Sequence, residues 1–368
     1  MLQKREKIAI LGSRGIPAKW GGFETLAEEL SKRLFRYGYE PTVVCENIGS
    51  HIHQKTYKGI HLKYVRTVQV RGLRSIVSHL VSVIQSRKGY DIIYMLGYHN
   101  AIFLLILKLY RKKIWINMDG LEWKRSKWGF FSRNYLRVME KIAMLASDIV
   151  IADSTEILKY LYKKYNAGHK ISYISYGADI PETPLPIFPL KKFNLAPKDY
   201  FIVVCRLEPE NLVHTIIEGY VQSNVNRKLV IVGPIEGSKK YVRRLLNFQK
   251  YKGVVFLGGV YKKETIISLR FHCLAYFHGH SVGGTNPSLL EAMACGNFII
   301  AHDNPFNRAT AGNTAVYFKD SGDITRLLSN QKNMALFKEM NEKSQQRIRQ
   351  FYNWEHIVQK YLHLLQKK

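Results

Sequence analysis

Short apolar runs alternate with amphipathic helical patterns along most of the chain. KIAILGSRGIP opens with an apolar run of strand length and continues into a glycine-rich turn. The next segment, FETLAEELSKRLFRYG, repeats apolar residues at helical spacing and stops at Gly38, which predicts an amphipathic helix. Strands that alternate with helices in this way predict a parallel, doubly wound α/β sheet.

The alternation continues in two sets that a proline-rich stretch separates. The first set has further predicted strands at EPTVVCE, DIIYMLG, KIWINMDG, DIVIADS and KISYISYGAD. Its helices are expected from about residues 100 and 132 and after DIVIADS. The second set has predicted strands at YFIVVCRLEPEN, KLVIVG, GVVFLGGV, CLAYFHG and GNFIIAHD. Between them, IPETPLPIFPLKKFNLAPKDY lacks periodicity and predicts a linker, with a long surface loop as the alternative.

The length of the chain supports this division. The chain has 368 residues, whereas a single hydrophobic core stops growing at roughly 250–300 residues. We therefore expect two Rossmann-like domains, residues 1–182 and 183–345, that face each other across a cleft, with a linker at about 181–198. Ligands of open α/β sheets bind beyond the carboxyl ends of the strands, so the turns that follow strands are the candidate sites.

The charge is strongly positive. The chain has 56 Lys and Arg residues against 28 Asp and Glu residues, a net charge of +28. Such a surface suits nucleic acid, anionic lipid head groups or phosphate-bearing substrates. No nucleic-acid-binding module is evident in the sequence, so a nucleic-acid-binding protein is the remote alternative. No run of about 20 apolar residues is present, which predicts no membrane-spanning helix.

The cysteines predict no disulfide framework. Cys45, Cys205, Cys273 and Cys295 lie in or beside apolar sequence, and no two of them form a C-x-x-C motif. They predict buried thiols in a reducing compartment rather than disulfides or a metal site. The first apolar run is too short for a signal peptide.

The turn after the first strand, GSRGIPAKWGGFE, is the first candidate site. Gly12 and Gly15 permit close backbone approach, and Gly21 and Gly22 open the first helix. A helix N-terminus presents free N–H groups and a partial positive charge, which suit a phosphate. The spacing differs from G-x-G-x-x-G, so a nicotinamide cofactor is disfavoured. The alternative is that these glycines are purely structural.

Two further turns follow strands of the second set. Arg206, in RLEPEN, is placed to pair with a phosphate, or alternatively to form a surface salt bridge with Glu208 or Glu210. In HGHSVGGTNPSLLEAMACG, Gly283 and Gly284 precede an expected helix with Asn286 as its N-cap and Pro287 at its first position.

Glu291 lies four residues after Pro287 in this segment, about one helical turn (~5.4 Å) further along the same side. A pyrophosphate at the helix start would place a nucleoside sugar near this carboxylate, which can accept hydrogen bonds from sugar hydroxyls. The alternative is an ordinary solvated glutamate on a helix surface.

At this point the sequence resembles a known family. GGTNPSLLEAMACGNFIIA is similar to the carboxyl-domain motif of the family 4 retaining glycosyltransferases, which have the GT-B fold. RLEPEN is similar to their RL-x-x-E-K segment, and GGFETLAEELSKRLFRYGYEPTVV to their amino-terminal loop and helix. GSRGIPAKWGGFET, NMDGLEWKRSKW, ISYGAD and GHSVGGTNPSLLEAM together resemble the bacterial rhamnosyltransferase branch, over nearly the whole chain.

The resemblance implies a function in bacterial capsule, cell-wall or surface polysaccharide synthesis. The donor is expected to be a nucleotide sugar, dTDP-L-rhamnose, held mainly by the second domain through the turns above and Thr285. The acceptor is expected to be a saccharide on undecaprenyl diphosphate, held by the first domain. Anomeric retention without a metal ion or other cofactor is the expected chemistry. The family also implies that a C-terminal helix, residues 346–368, returns to the first domain.

Two positions depart from the pattern of the family. The family often has a glutamate eight residues before the position of Glu291, where this chain has Gly283. It also has a phosphate-binding lysine where this chain has Asn211. We therefore expect His280 to contact the donor sugar or its phosphate, and Arg206, backbone amides and Arg14 to meet the phosphate charge.

The resemblance also indicates candidate catalytic and acceptor residues in the first domain. Asp119 matches the position of a histidine near the reacting sugar, and we expect Asp119 and Glu122 to position or deprotonate the acceptor; general-base help typically contributes 10²–10⁴-fold. In a front-face retaining mechanism the leaving phosphate can itself take the proton, in which case Asp119 only orients. The alternative for Asp119 is a strand-end cap. The remaining acceptor candidates at strand ends are Tyr98, His99, Asp153 and Tyr176.

EWKRSKWGFFSRNYLRVMEK interleaves basic and aromatic residues, as interfacial surfaces do. We expect it to contact an anionic membrane where a lipid-linked acceptor arrives, with a solvated basic helix as the alternative. We therefore expect a cytoplasmic protein, peripheral on the inner face of the bacterial plasma membrane. The expected contact residues are Lys124, Arg125, Lys127, Trp128, Phe130 and Phe131.

Two enzymatic alternatives keep the same fold. One is a hexosyl or N-acetylhexosaminyl transferase with a different donor sugar. The other is a nucleotide-sugar epimerase or a phosphorylase, which the two linked domains and Glu291 would also suit.

Overall fold

The computed structural model describes residues 6–19, 21–47, 54–68, 70, 72–125, 127–183, 185–235, 239–330 and 333–367. The chain divides into two compact units, Met1–Tyr176 with Trp354–Lys368, and Gly177–Asn353. The second unit begins at Gly177 rather than at residue 183, and the returning segment begins at Trp354 rather than at residue 346. Pro184, within the expected linker, lies outside the described residues.

The first unit contains a sheet with the strand order β3-β4-β2-β1-β5-β6-β7-β8. Every described pair of neighbours is parallel except β3 with β4, which is antiparallel at the edge. The strands are β1 (Lys7–Leu11), β2 (Glu40–Asn47), β3 (Thr56–Tyr57), β4 (Ile60–Arg66), β5 (Ile92–Leu96), β6 (Lys113–Met118), β7 (Ile149–Ala152) and β8 (Ile171–Tyr173).

The helices that connect these strands cover the sheet. Because β1, β5 and β6 are buried almost throughout, they appear in the sequence as continuous apolar runs instead of alternating patterns. The segment expected to be helical from about residue 100 begins as a 3₁₀ turn, Ala101–Phe103. The helices are α1 (Gly22–Arg36), α2 (Leu73–Ser86), α3 (Leu104–Leu109), α4 (Phe130–Ala146) and α5 (Thr155–Lys164).

The second unit contains a fully parallel sheet with the order β11-β10-β9-β12-β13-β14. Its strands are β9 (Tyr200–Val204), β10 (Lys228–Val232), β11 (Val254–Gly258), β12 (Ala275–His278), β13 (Phe298–His302) and β14 (Ala315–Phe318). Its helices are α6 (Phe188–Lys191), α7 (Val213–Gln222), α8 (Lys239–Leu246), α9 (Lys263–His272), α10 (Pro287–Ala294), α11 (Pro305–Ala311), α12 (Ser321–Ser329) and α13 (Asn333–Arg347).

The strand order of each sheet reverses at one central position. In the first sheet the reversal lies between β1 and β5, and in the second it lies between β9 and β12. Ligands of doubly wound sheets bind in the crevice at this reversal, outside the carboxyl ends of the strands. The loops after these four strands contain Gly12, His99, Arg206 and the Gly283–Gly284 pair, so most of the sequence candidates lie at the two reversals.

The last helix, α14 (Trp354–Gln366), belongs to the first unit and packs on α1. Arg36 pairs with Glu355 at 2.6 Å, and the buried hydroxyls of Tyr94 and Tyr361 are 2.9 Å apart. Tyr361 therefore brings a polar group from the end of the chain into the core beneath β5.

The predicted burial of the cysteines is confirmed for three of the four thiols. All four are free; Cys45, Cys273 and Cys295 are buried, whereas Cys205 is half-buried. Burial raises the pKa of Cys45 to about 11 and those of Cys205, Cys273 and Cys295 to about 12. No helix in the described part of the chain is long and apolar enough to cross a membrane.

Candidate functional site

The glycine-rich turn after β1 lies against the end of β5. A Cβ at Gly12, whose φ is +92°, would be 2.3 Å from the carbonyl oxygen of Leu96, so this position requires glycine. Two carboxylates of α1 hold the turn: the backbone N–H of Arg14 donates to Glu24 at 2.8 Å, and that of Ala18 donates to Glu28 at 2.7 Å. The chain itself therefore supplies negative charge to this turn.

The start of α1 is less suited to a phosphate than the sequence indicates. Gly21 is exposed and provides no side-chain cap, which leaves N–H groups available at Gly22 and beyond. However, Glu24 lies in the first turn of the helix, and its negative charge would repel a second anion bound there. Gly15 is buried against Cys45, and the side chain of Arg14 is exposed.

The loops after β9 and β12 are hydrogen-bonded to each other. The amide oxygen of Asn211 lies 2.8 Å from Nδ1 of His280, and its Nδ2 donates to the carbonyl of Arg206 at 2.7 Å. The N–H and the hydroxyl of Ser281 both donate to the carbonyl of Glu210, at 2.9 and 2.8 Å. This arrangement holds the sheet-reversal loops of the second unit together.

The guanidinium of Arg206 is exposed at the end of β9. No described carboxylate pairs with it, so the alternative salt bridge with Glu208 or Glu210 is absent from the described part of the chain. The guanidinium is therefore accessible to a phosphate at the carboxyl end of β9.

His280 is held through its backbone as well as its ring. Asn304 and Asn307, at the start of α11, each donate to its carbonyl oxygen at 2.9 Å. Its neighbour His278 is buried at the end of β12, and burial lowers the pKa of His278 to about 3. His278 is therefore neutral at physiological pH, and the predicted donor contact falls to His280.

The backbone of Gly283 lies close to the imidazole ring of His280. Gly283 has φ +142°, and a Cβ there would lie 2.6 Å from Nε2 of His280. A glutamate at position 283 would therefore collide with the imidazole that Asn211 orients. The absence of a side chain at position 283 therefore leaves room for the imidazole of His280 in the orientation that Asn211 holds.

The start of α10 has the expected capping geometry. The side-chain oxygen of Asn286 accepts a hydrogen bond from the N–H of Ser288 at 2.9 Å, and Pro287 occupies the first helical position. Gly284 and Thr285, just before the helix, are buried. The helix start and its glycine loop thus lie beside Arg206, at the strand reversal of the second sheet.

Glu291 is not an ordinary solvated helix residue. Its Oε2 forms an ion pair at 2.7 Å with Nη1 of Arg270, which is buried in α9, while 37% of the Glu291 side chain is exposed. Arg270 is not among the candidate residues that the sequence motifs indicate. Its partner is distant in sequence, and no motif in KETIISLRFH indicates that this arginine faces α10.

Asp119 and Asp153 form a carboxyl pair at the ends of adjacent strands. The register pairs Met118 of β6 with Ala152 of β7, so the next residues in each strand are neighbours. The Asp153 carboxyl is close enough to Asp119 to act on it as a hydrogen-bond partner. Burial raises the pKa of Asp119, although Arg125, the bond from Asp153 and His99 act in the opposite direction.

A group of tyrosines surrounds this pair. Tyr176 is 2% exposed and lies near both carboxyl groups and Glu24. Within the described residues its hydroxyl has no hydrogen-bond partner, which is unfavourable for a buried polar group. Tyr361 of α14 also lies near Asp153. Tyr176 is therefore buried among carboxyl groups instead of lying on an open surface.

Glu122 does not have the environment of a general base. Nε of Arg125 lies 2.6 Å from one of its oxygens, and Nε2 of His99 lies 3.2 Å from the other. Burial opposes the charge, but His99 and Arg125 outweigh it and lower the pKa of Glu122 to about 2. Glu122 is thus an ionised residue that orients His99, which differs from its predicted catalytic role.

Tyr98 also differs from its predicted role. It is 1% exposed, and its hydroxyl accepts a hydrogen bond from the N–H of Glu122 at 2.9 Å. This contact holds the loop after β6 in place and turns the hydroxyl away from any acceptor. His99, stacked on Tyr98, has a side chain that is 32% exposed and remains a candidate for acceptor contact.

Of the six expected membrane-contact residues, four are exposed, Trp128 is half-buried and Arg125 is buried. Phe130 and Phe131, at the start of α4, are 74% and 87% exposed. Lys124 is also exposed, and Lys127 lies over the ring of Trp128 at 4.8 Å. Arg125 is buried and paired with Glu122, so it cannot contact a membrane.

Two family models match the chain, one in each half. Residues 5–179 match a domain of unknown function, DUF1972, and residues 190–351 match the family Glycosyl transferases group 1. The chain is also similar to an uncharacterized glycosyltransferase of Methanocaldococcus jannaschii, MJ1069, with 25% identity over 252 residues. That match covers 63% of this chain and 62% of MJ1069, so it spans less than two thirds of the relative.

Solved structures with similar folds extend over the whole chain. Sucrose-phosphate synthase from Thermosynechococcus elongatus has a TM-score of 0.83 and 16% identity, with 99% of both chains covered. Anabaena HepE in complex with UDP-glucose has a TM-score of 0.80 and 16% identity, with 99% of this chain and 100% of HepE covered. The fold is therefore that of GT-B proteins, and the second half of the chain is similar to the group 1 glycosyltransferases.

Proposed function

We propose that the protein is a retaining glycosyltransferase that transfers L-rhamnose from dTDP-L-rhamnose to a lipid-linked saccharide in bacterial surface-polysaccharide synthesis. The observation that carries the proposal is the start of α10, where a glycine loop, an N-cap and an oriented carboxylate stand at the strand reversal. This stretch lies inside the region that matches the group 1 glycosyltransferases. The choice of rhamnose rests on the sequence motifs.

The donor pyrophosphate binds at the start of α10 in this proposal. The N–H groups of the Gly283–Gly284 loop and of the first helical turn act together with the exposed Arg206 on its negative charge. One turn further along, Glu291 accepts a hydrogen bond from a hydroxyl of the nucleoside sugar. His280, held by Asn211, contacts the transferred sugar or its phosphate. Because these groups stabilise the negative charge of the pyrophosphate, the proposed reaction needs no metal ion.

The acceptor hydroxyl binds near the Asp119–Asp153 pair. Asp153 is fully buried beside Asp119 and acts on it as a hydrogen-bond partner, which opposes part of the rise that burial causes in the pKa of Asp119. Asp119, which is partly exposed, orients the acceptor hydroxyl. The proton of that hydroxyl passes to the leaving donor phosphate as the new glycosidic bond forms on the same face of the sugar.

The lipid portion of the acceptor reaches the first unit from a membrane. The exposed Phe130 and Phe131 and the nearby basic side chains suit an interface with anionic lipids. A positive residue near such a surface contributes about 1 kcal/mol to binding. We therefore propose a peripheral protein on the cytoplasmic face of the plasma membrane.

Replacement of Glu291 by Ala tests the donor site. We expect Glu291→Ala to bind dTDP about tenfold more weakly than the wild type, because a hydrogen bond to a charged group is lost. The measurement is isothermal titration calorimetry, with thermal unfolding as the check that the fold is intact. Wild-type affinity in the variant would be evidence against the site at α10.

A further inference from the structure

Arg270 is a charged residue inside the second unit that the proposed donor site does not yet use. It is 3% exposed in α9, where a buried charge is unfavourable unless it is paired and hydrogen-bonded. Its Nη1 pairs with Oε2 of Glu291 at 2.7 Å, and its Nη2 donates to Oγ of Ser288 at 3.2 Å. Both partners belong to α10, so a single guanidinium contacts two successive parts of that helix.

The same network extends to the strand that carries Arg206. The hydroxyl of Ser288 donates to the carbonyl of Val204, the last residue of β9, at 2.8 Å. The hydroxyl of Tyr276 lies 2.5 Å from Oγ of Ser288. Arg270 is therefore linked through Ser288 to the end of β9, and it holds α10 in register with the loop that contains Arg206.

The ion pair leaves one oxygen of Glu291 available. Oε2 is engaged by Arg270, whereas no described residue donates a hydrogen bond to Oε1. The side chain of Glu291 is 37% exposed, so this oxygen is accessible from outside the helix. A carboxylate fixed in this way needs no reorganisation when a hydroxyl arrives, and such preorganisation increases affinity.

We propose that Arg270 is a positioning residue for the donor: it fixes Glu291 so that Oε1 accepts a hydrogen bond from the 3′-hydroxyl of the nucleoside diphosphate. The inference rests on the proposed nucleotide site at α10. Arg270 itself touches no ligand and acts only through Glu291. Its contribution should therefore appear only with nucleotides that have the hydroxyl.

The experiment compares dTDP with 2′,3′-dideoxythymidine diphosphate, which lacks that hydroxyl. Calorimetric titrations use the wild type, Arg270→Met, Arg270→Lys and Glu291→Gln. We expect Arg270→Met to weaken dTDP binding about tenfold and Arg270→Lys to restore part of the loss. The dideoxy nucleotide should bind the wild type and Arg270→Met with equal, weaker affinity.

Two results would overturn the proposal. One is wild-type affinity of Arg270→Met for dTDP, and the other is an equal loss for both nucleotides, which indicates a general structural role. If Arg270→Met does not fold, Arg270→Lys carries the test, because its amine cannot contact Glu291 and Ser288 in the same fork geometry. Failure of the wild type to bind any nucleoside diphosphate would overturn the donor site and this inference together, whereas an unaffected Arg270 variant overturns this inference alone.

Discussion

At the residue scale, the Asp119–Asp153 pair gives the proposed acceptor site a dependence on pH. The groups that face Asp119 are Arg125, Glu122, Asp153, His99 and Tyr176. Burial raises the pKa of Asp119, and the hydrogen bond from Asp153 lowers it again in part. Since ionised Asp119 orients the acceptor, turnover should fall as the pH decreases through this raised pKa.

Replacement of Asp153 should shift the pH at which turnover falls on the acidic side. In Asp153→Ala the hydrogen bond to the carboxylate is lost, so the pKa of Asp119 rises further and turnover is lost at a higher pH. Asp153→Asn keeps an N–H donor, so its turnover should fall at a pH close to that of the wild type. The measurement is the pH dependence of kcat, with dTDP affinity as the control. Coincident profiles for the Ala variant and the wild type would contradict the role of the pair.

The sequence predicted the positions of some site residues but not the contacts that they make. The motif spacing located Arg206, Asn286 and Glu291 at the second strand reversal, because turns after strands follow from the order of elements. It did not reveal that Arg270 pairs with Glu291, since that contact depends on how α9 packs beside α10. Nor did it distinguish the buried Arg125 from its exposed basic neighbours.

At the scale of elements, α4 exposes several apolar side chains that do not pack inside its own unit. Two phenylalanines at its start are largely exposed, and Val138 and Leu145 further along it are 54% and 70% exposed. Neighbouring α3 exposes Leu109 at 84%. Exposed apolar residues flanked by basic ones favour a lipid interface over plain solvent.

Replacement of Phe130 and Phe131 by Ser should weaken membrane binding at least tenfold. Burying a phenylalanine contributes roughly 1.5–3 kcal/mol, of which an interface retains part. The measurement is co-sedimentation with vesicles that contain anionic lipid, compared with neutral vesicles. Phe188→Ser is the matched control, since Phe188 is 67% exposed but belongs to the second unit and not to α4. Equal binding to neutral and anionic vesicles would contradict electrostatic docking.

The elements themselves were predictable to different extents. Buried parallel strands such as β5 and β12 form continuous apolar runs, and α1 shows a clear helical period, so these predictions are confirmed. The β3–β4 pair was not predicted, because β4 is only partly buried and its sequence, IHLKYVR, mixes charged and apolar residues. The first helical turn after β5 is a 3₁₀ turn, which periodicity does not reveal.

At the scale of the whole molecule, the two sheets repeat one plan. Apart from the edge strand β3 and the added β8, both follow the same order, with a reversal beside the first strand of each unit. The reversal of the second sheet gathers loops with basic and amide groups, whereas the carboxyl pair of the first unit follows β6 and β7, next to β5 in that sheet. This division of charge matches a phosphate-bearing donor in one unit and a hydroxyl acceptor in the other.

The whole chain carries a net charge of +28. It suits both the phosphate-bearing donor and an anionic membrane. We therefore expect the protein to meet its substrates at a lipid surface.

The most direct test of the central claim is transfer of radiolabelled sugar from dTDP-L-rhamnose into a bacterial membrane lipid extract. We predict label in the lipid fraction with the wild type and loss of transfer in Asp119→Ala, which should still bind dTDP. We also predict weaker transfer in Glu291→Ala at limiting donor concentration. Absence of label in lipid with any nucleotide sugar, together with epimerisation of the donor, would contradict the account and favour an epimerase.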